Sequence, residues 1–344
     1  MPRVGAEPPV EPHTLTTRFR FSVADYVTAL KVSPDGRYCA LGNGSGELFL
    51  IDAASGRVLW RELAHGHGLL SLSIAPDGLH IASCGQDASA KLWNASGELC
   101  AQLPGGHSWV EQVAWSPTGD VLATASARRV RLWTAQGVPL RETDDLPSTV
   151  AGLAWHPDGS AVAAAGYGGV YICPVEDRKA IRHLRWKGSL LSVAWSPNAQ
   201  VLASCSQDCS VHFWRLNTGR DSEMSGYPMK PKALAWDATS TLLATSGHST
   251  VTIWPFRGKG PEGSKPLQLS YHAALCTQLA FHPRTTWLAS GGQDSAVVVW
   301  DPGRSRIAQQ VGYLDDEITA LAWQPQTACL LAGDARGGVA CWDV

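Results

Sequence analysis

Short stretches of alternating apolar and polar residues, each running into a turn, recur along the whole chain. One such element reads VTALKVSPDG (27–36), LLSLSIAPDG (69–78), VEQVAWSPTG (110–119) and VAGLAWHPDG (150–159). It returns as LLSVAWSPNA (190–199), PKALAWDATS (231–240), CTQLAFHPRT (276–285) and ITALAWQPQT (318–327). The turn position falls at Pro34, Pro76, Pro117, Pro157, Pro197, Ala238, Pro283 and Pro325, at intervals of 42, 41, 40, 40, 41, 45 and 42 residues. A second element keeps the same interval, with Ile51, Trp93, Trp133, Cys173, Trp214, Trp254, Trp300 and Trp342 at matching places. Between the two lies a third, as in HIASCGQD (80–87), VLASCSQD (201–208) and WLASGGQD (287–294). Period-two alternation bounded by Pro, Asp and Gly predicts β-strands, and a fixed 40-residue period predicts a repeat architecture.

A unit of this length with Gly-His, Ser-Pro-Asp-Gly, a turn Asp and a closing Trp-Asp resembles the WD40 repeat, from about residue 14 to residue 344. The resemblance implies an all-β fold, a single closed WD40-type β-propeller of four-stranded blades. Eight units predict eight blades; seven, with the first or fourth unit outside the ring, is the alternative. Residues 14–22 (TLTTRFRFS) are then expected to complete the last blade, which lacks an outer strand of its own. Residues 1–13, proline-rich at the start, are expected to form a disordered tail. Large residues such as Val113 and Trp115 alternate with small ones such as Ala114, so a large face of one blade is expected to meet a small face of the next.

The resemblance further implies hydrogen-bonded networks inside blades. His65, Ser83, Asp87 and Trp93 form one complete set, and His272, Ser290, Asp294 and Trp300 another. Ser204, Asp208 and Trp214 form a third that lacks the histidine, whereas His107, Thr124 and Trp133 lack the Asp. Ser, His and Asp are also the residue types of a hydrolase triad, but that chemistry needs an exposed hydroxyl. The expected role is structural.

Composition narrows the rest. Lys plus Arg is 28 against 30 Asp plus Glu, a net charge of −2, which gives no general attraction to nucleic acid. No apolar run is long enough to span a bilayer, and no secretory signal is evident. Nine cysteines without a CxxC pair read as free thiols of a cytoplasmic protein. No cofactor or metal is expected, and the ring is expected to be monomeric.

On a propeller, binding residues sit in loops carried by the rigid ring. By family topology one loop face would display Tyr26, Trp109, Tyr167, Trp186, Tyr227, Tyr271 and Tyr313, with Arg128, Arg129, Asp315 and Asp316 as its charges. Aromatic residues dominate binding hot spots, so the expected function is a non-catalytic scaffold for a protein or peptide. The alternative is an enzyme or metal-handling protein that uses the central channel, with His65, His67, His272 and Cys276 as its candidates.

Overall fold

A computed structural model describes residues 11–258 and 260–344, all of whose regular structure is β. They form eight sheets. The inner strands are Val27–Val32, Leu69–Ile74, Val110–Trp115, Gly152–Trp155, Ala194–Trp195, Leu234–Trp236, Cys276–Phe281 and Ile318–Trp323. Each adjoins the next, and the last adjoins the first, so all eight units lie in one closed ring. This excludes the seven-bladed alternative.

Within a blade the chain steps outward through antiparallel neighbours, as in Leu69–Ile74, His80–Gly85, Ser89–Asn94 and Leu99–Pro104. In the fourth blade the second and third strands form one segment, Ala161–Pro174, which turns at Gly168 and Gly169. Both have positive φ (84° and 133°), where a side chain would be strained.

Thr16–Ser22 pairs antiparallel with Gly338–Asp343 and completes the eighth blade, as expected. Arg18 fastens this seam to Asp343 at 2.5 Å. Just before it, His13 and Thr14 pair in parallel with Gln310 and Val311 of the seventh blade. His13, counted in the expected tail, thus lies in a strand, and residues 1–10 of that tail lie outside those described.

Tryptophans stitch blade to blade. The indoles of Trp155, Trp195 and Trp323 donate to the carbonyls of Ala114, Ala154 and Ala280 in the preceding blade, at 2.9, 3.1 and 2.9 Å. Small residues at the alanine positions let the rings approach the neighbouring backbone. Trp115 and Trp236 occupy the same place, yet their buried indole nitrogens have no partner.

Candidate functional site

Two of the expected sets assemble as complete chains of hydrogen bonds. In the second blade Trp93 donates to Ser83 Oγ at 2.9 Å, Ser83 Oγ lies 2.9 Å from His65 Nε2, and His65 Nδ1 lies 2.9 Å from Asp87. In the seventh, Trp300, Ser290, His272 and Asp294 repeat this at 2.8, 2.8 and 3.0 Å. With the indole donating to the serine, the serine proton goes to Nε2 and the imidazole proton on Nδ1 goes to the carboxylate. Burial lowers the His65 pKa and so favours this neutral form. Burial opposes ionisation of Asp87, but bonds from His65 and Ser89 outweigh it and hold the carboxyl below its usual range. Ser83 and Ser290 are fully buried, so neither hydroxyl can reach a substrate. A Cβ at Gly85 would stand 2.6 Å from the His65 ring, and one at Gly292 2.7 Å from His272. Only glycine leaves room for the histidine.

The third set does not assemble. Ser204 bonds instead to the backbone carbonyls of Ser192 and Cys205, and Asp208 receives the Ser210 hydroxyl at 2.6 Å. The cause lies eighteen residues before the serine, where the second and seventh blades have His65 and His272 and the fifth has Trp186. Trp186 folds inward and stacks on the imidazole of His212, with Trp214 edge-on at 4.4 Å. Its expected place on the loop face is therefore corrected: the ring is half-buried in the blade.

The same offset explains other blades. Tyr227 stands eighteen residues before Thr245. Its hydroxyl lies 2.7 Å from Thr245 Oγ1 and accepts from the Trp254 indole at 2.6 Å. Tyr227 is thus also interior, not displayed. Blades one, four and eight fill the place with Val23, Leu146 and Leu314, packed in the apolar core. His107 is one residue out of register and exposed, so Thr124 receives only the Trp133 indole, at 3.0 Å.

What remains on the loop face is Tyr26, Trp109, Tyr167 and Tyr313, which are 45, 52, 57 and 51 % exposed. Tyr26 and Trp109 precede inner strands, Tyr167 sits in a turn between the second and third strands, and Tyr313 ends an outer strand. The antiparallel registers, with Val27 opposite Asn43, Val110 opposite Ser126, Tyr167 opposite Ser189 and Tyr313 opposite Ala296, bring all four positions to one end of their blades. Tyr271, half-buried, shares a 2.8 Å hydroxyl contact with Tyr313. The charges there are paired: Arg128 with Asp145, Arg129 with Asp145 and Glu142, Arg20 with Asp315, and Arg336 with Asp316.

The channel candidates are engaged elsewhere. His65 and His272 are held in their networks, and burial pushes the Cys276 thiol up to about 12. His67 is exposed. Among the described residues no three His, Cys, Asp or Glu side chains gather as a metal site, and no helix is long and apolar enough to cross a membrane.

The family described as the IFT122 first β-propeller matches residues 26–260, and the WD domain, G-beta repeat, matches residues 263–301. WD repeat-containing protein 1 of Mus musculus is 28 % identical over 28 % of this chain and 17 % of its own length. Coronin-2A of Bos taurus is 25 % identical over 37 % of this chain and 26 % of its own. The transcriptional corepressor LEUNIG_HOMOLOG of Arabidopsis thaliana is 24 % identical over 80 % of this chain and 35 % of its own. The chain thus spans about a third or less of these relatives. A solved structure of the computationally designed Ika8 protein is similar in fold, with a TM-score of 0.80 and 20 % identity over 97 % of this chain and 100 % of that one. With eight in-phase units closing one ring, the chain belongs to the WD40-repeat β-propeller family.

Proposed function

We propose that this propeller is a non-catalytic scaffold that binds a protein or peptide segment across the loop face carrying Tyr26, Trp109, Tyr167 and Tyr313. The observation that carries the reading is the exposure of four large aromatic rings on one face. Loops are normally polar, and rings held out on a rigid frame supply contact area at little entropic cost. The fully buried serines of the two Ser-His-Asp sets speak against hydrolase chemistry. The relatives' names carry WD repeats and a corepressor and give no common substrate.

The test replaces Trp109, Tyr167 and Tyr313 singly with Ala and repeats a pull-down from the native source. Melting curves should stay unchanged, since exposed loop residues add little to folding. Loss of a central anchor should weaken a specific partner by about 2 kcal/mol or more. Retention of every partner by all three variants would place the working surface elsewhere.

A further inference from the structure

Seven of the eight inner strands carry a small residue three positions before the turn proline or its equivalent: Ser73, Ala114, Ala154, Ala194, Ala235, Ala280 and Ala322. The first blade has Lys31 there. Lys31 lines a cavity of about 200 Å³ whose wall also includes Gln112 in the third blade and Gln278 in the seventh. In a ring of eight those two blades face each other, and Lys31 is two blades from either.

Lys31 is exposed to the solvent of the cavity, and it has no ion pair or side-chain hydrogen bond among the described residues. The surrounding protein lowers its pKa through partial desolvation, with no carboxylate opposing the shift. Glu111, beside Gln112 in sequence, is not part of the lining, and Lys232 and Glu317 line the adjoining cavity toward the loop face. The other polar groups here are also unspent. Thr28 Oγ1 is buried without a partner, Ser71 lines the wall, and the amides of Gln112 and Gln278 make no bond to protein among the described residues. One cation and several neutral donors converge on a space of a few heavy atoms.

We propose that this part of the channel binds a small, singly charged oxyanion of the carboxylate class on Lys31, with Gln112, Gln278 and the neighbouring hydroxyls completing its hydrogen bonds. A single ammonium matches a single negative charge and leaves the second charge of a phosphate dianion unbalanced. The cavity is too small for a folded partner. This site is independent of the loop-face reading and stands or falls separately.

The experiment uses saturation-transfer NMR on the whole chain with acetate and formate as probes, at constant ionic strength, and inorganic phosphate as competitor. Lys31→Ser installs the residue that the second blade already uses; Lys31→Met keeps the stem without charge. The expected result is a saturable signal in the native protein that weakens about tenfold or more in both variants, as loss of a charge-assisted bond requires. Phosphate should compete poorly. Melting temperatures of the variants should barely change, because the exposed ammonium pairs with no protein group. The proposal is overturned by no saturable signal, by equal signals in native and variant proteins, or by stronger binding of phosphate than of acetate. It is equally overturned if both variants fail to fold, which would make Lys31 a structural residue.

Discussion

The ring of Trp186 lies over the imidazole of His212 with centroids 3.6 Å apart and planes 24° from parallel. The fifth blade thereby replaces a chain of hydrogen bonds with a stack. Both His212 nitrogens are buried without a hydrogen-bond partner, although Nε2 stands 3.1 Å from an Asp221 carboxylate oxygen. Aromatic contact fills the volume that His, Ser and Asp occupy in the second and seventh blades, but it does not satisfy the imidazole.

A pH dependence follows. Burial, opposed by Asp221, depresses the His212 pKa from 6.5 to about 4. The unfolded chain therefore takes up this proton first, so stability is full above about pH 6.5 and is lost as pH falls toward 4. His212→Phe keeps the stack and removes the titration. Urea unfolding at pH 7 and pH 5 should show a smaller difference for this variant than for the native protein, and no loss at pH 7. An equal difference would assign the acid sensitivity to other groups.

Asp87→Ala and Asp294→Ala each leave a buried imidazole without its acceptor. Each should cost roughly 2–4 kcal/mol, measured by chemical denaturation. Five blades separate the sites in chain order, so the double variant should show the sum within about 0.5 kcal/mol. The Ser204 hydroxyl bonds only to backbone, and Asp208→Ala, which breaks a turn contact alone, should cost less than either.

Trp155, Trp195 and Trp323 donate to the neighbouring blade, whereas Trp115 and Trp236 do not. Trp→Phe removes the donor along with some ring volume at every site. At the first three positions it strands a carbonyl and should cost about 1 kcal/mol more than at the last two. Equal losses in all five variants would show that packing alone sets their contribution.

Deleting residues 13–22 exposes the edge of Gly338–Asp343 and removes the parallel bridge to Gln310 and Val311. Unpaired strand edges recruit other chains. Size-exclusion chromatography should find aggregate or oligomer, and a variant that stays monomeric with an unchanged melting temperature would refute this role for the seam.

The repeat, the blade count and the closing strand were legible because each is a matter of spacing: proline turns 40 to 45 residues apart, six tryptophans in phase, and an extended segment ahead of the first unit. The two complete networks were legible for the same reason. Trp186 and Tyr227 were misplaced because residue type cannot say whether a ring at a loop turns outward or down. Their position eighteen residues before Ser204 and Thr245, where a histidine sits elsewhere, held the answer. Arg128 and Arg129 were expected as charges of the loop face, but their pairing was not legible, since their partners Glu142 and Asp145 belong to a later strand end and loop. Nor does spacing show that Arg215 of the fifth blade reaches Glu262 in the sixth, at 2.6 Å.

The seam between Thr16–Ser22 and Gly338–Asp343 joins residues as far as 325 positions apart, as with Arg18 and Asp343. The first six blades are built only from strands that follow one another, so each can form soon after its own residues exist, and the seventh takes from the start of the chain only the bridge of His13 and Thr14. During synthesis from the amino end, residues 16–22 must stay unpaired while seven blades are made, waiting for a partner that comes last. An unfinished chain is thus an open arc with two loose sheet faces, and contacts this distant in sequence form slowly. The segment that makes the finished ring whole is the one that leaves the growing chain most vulnerable.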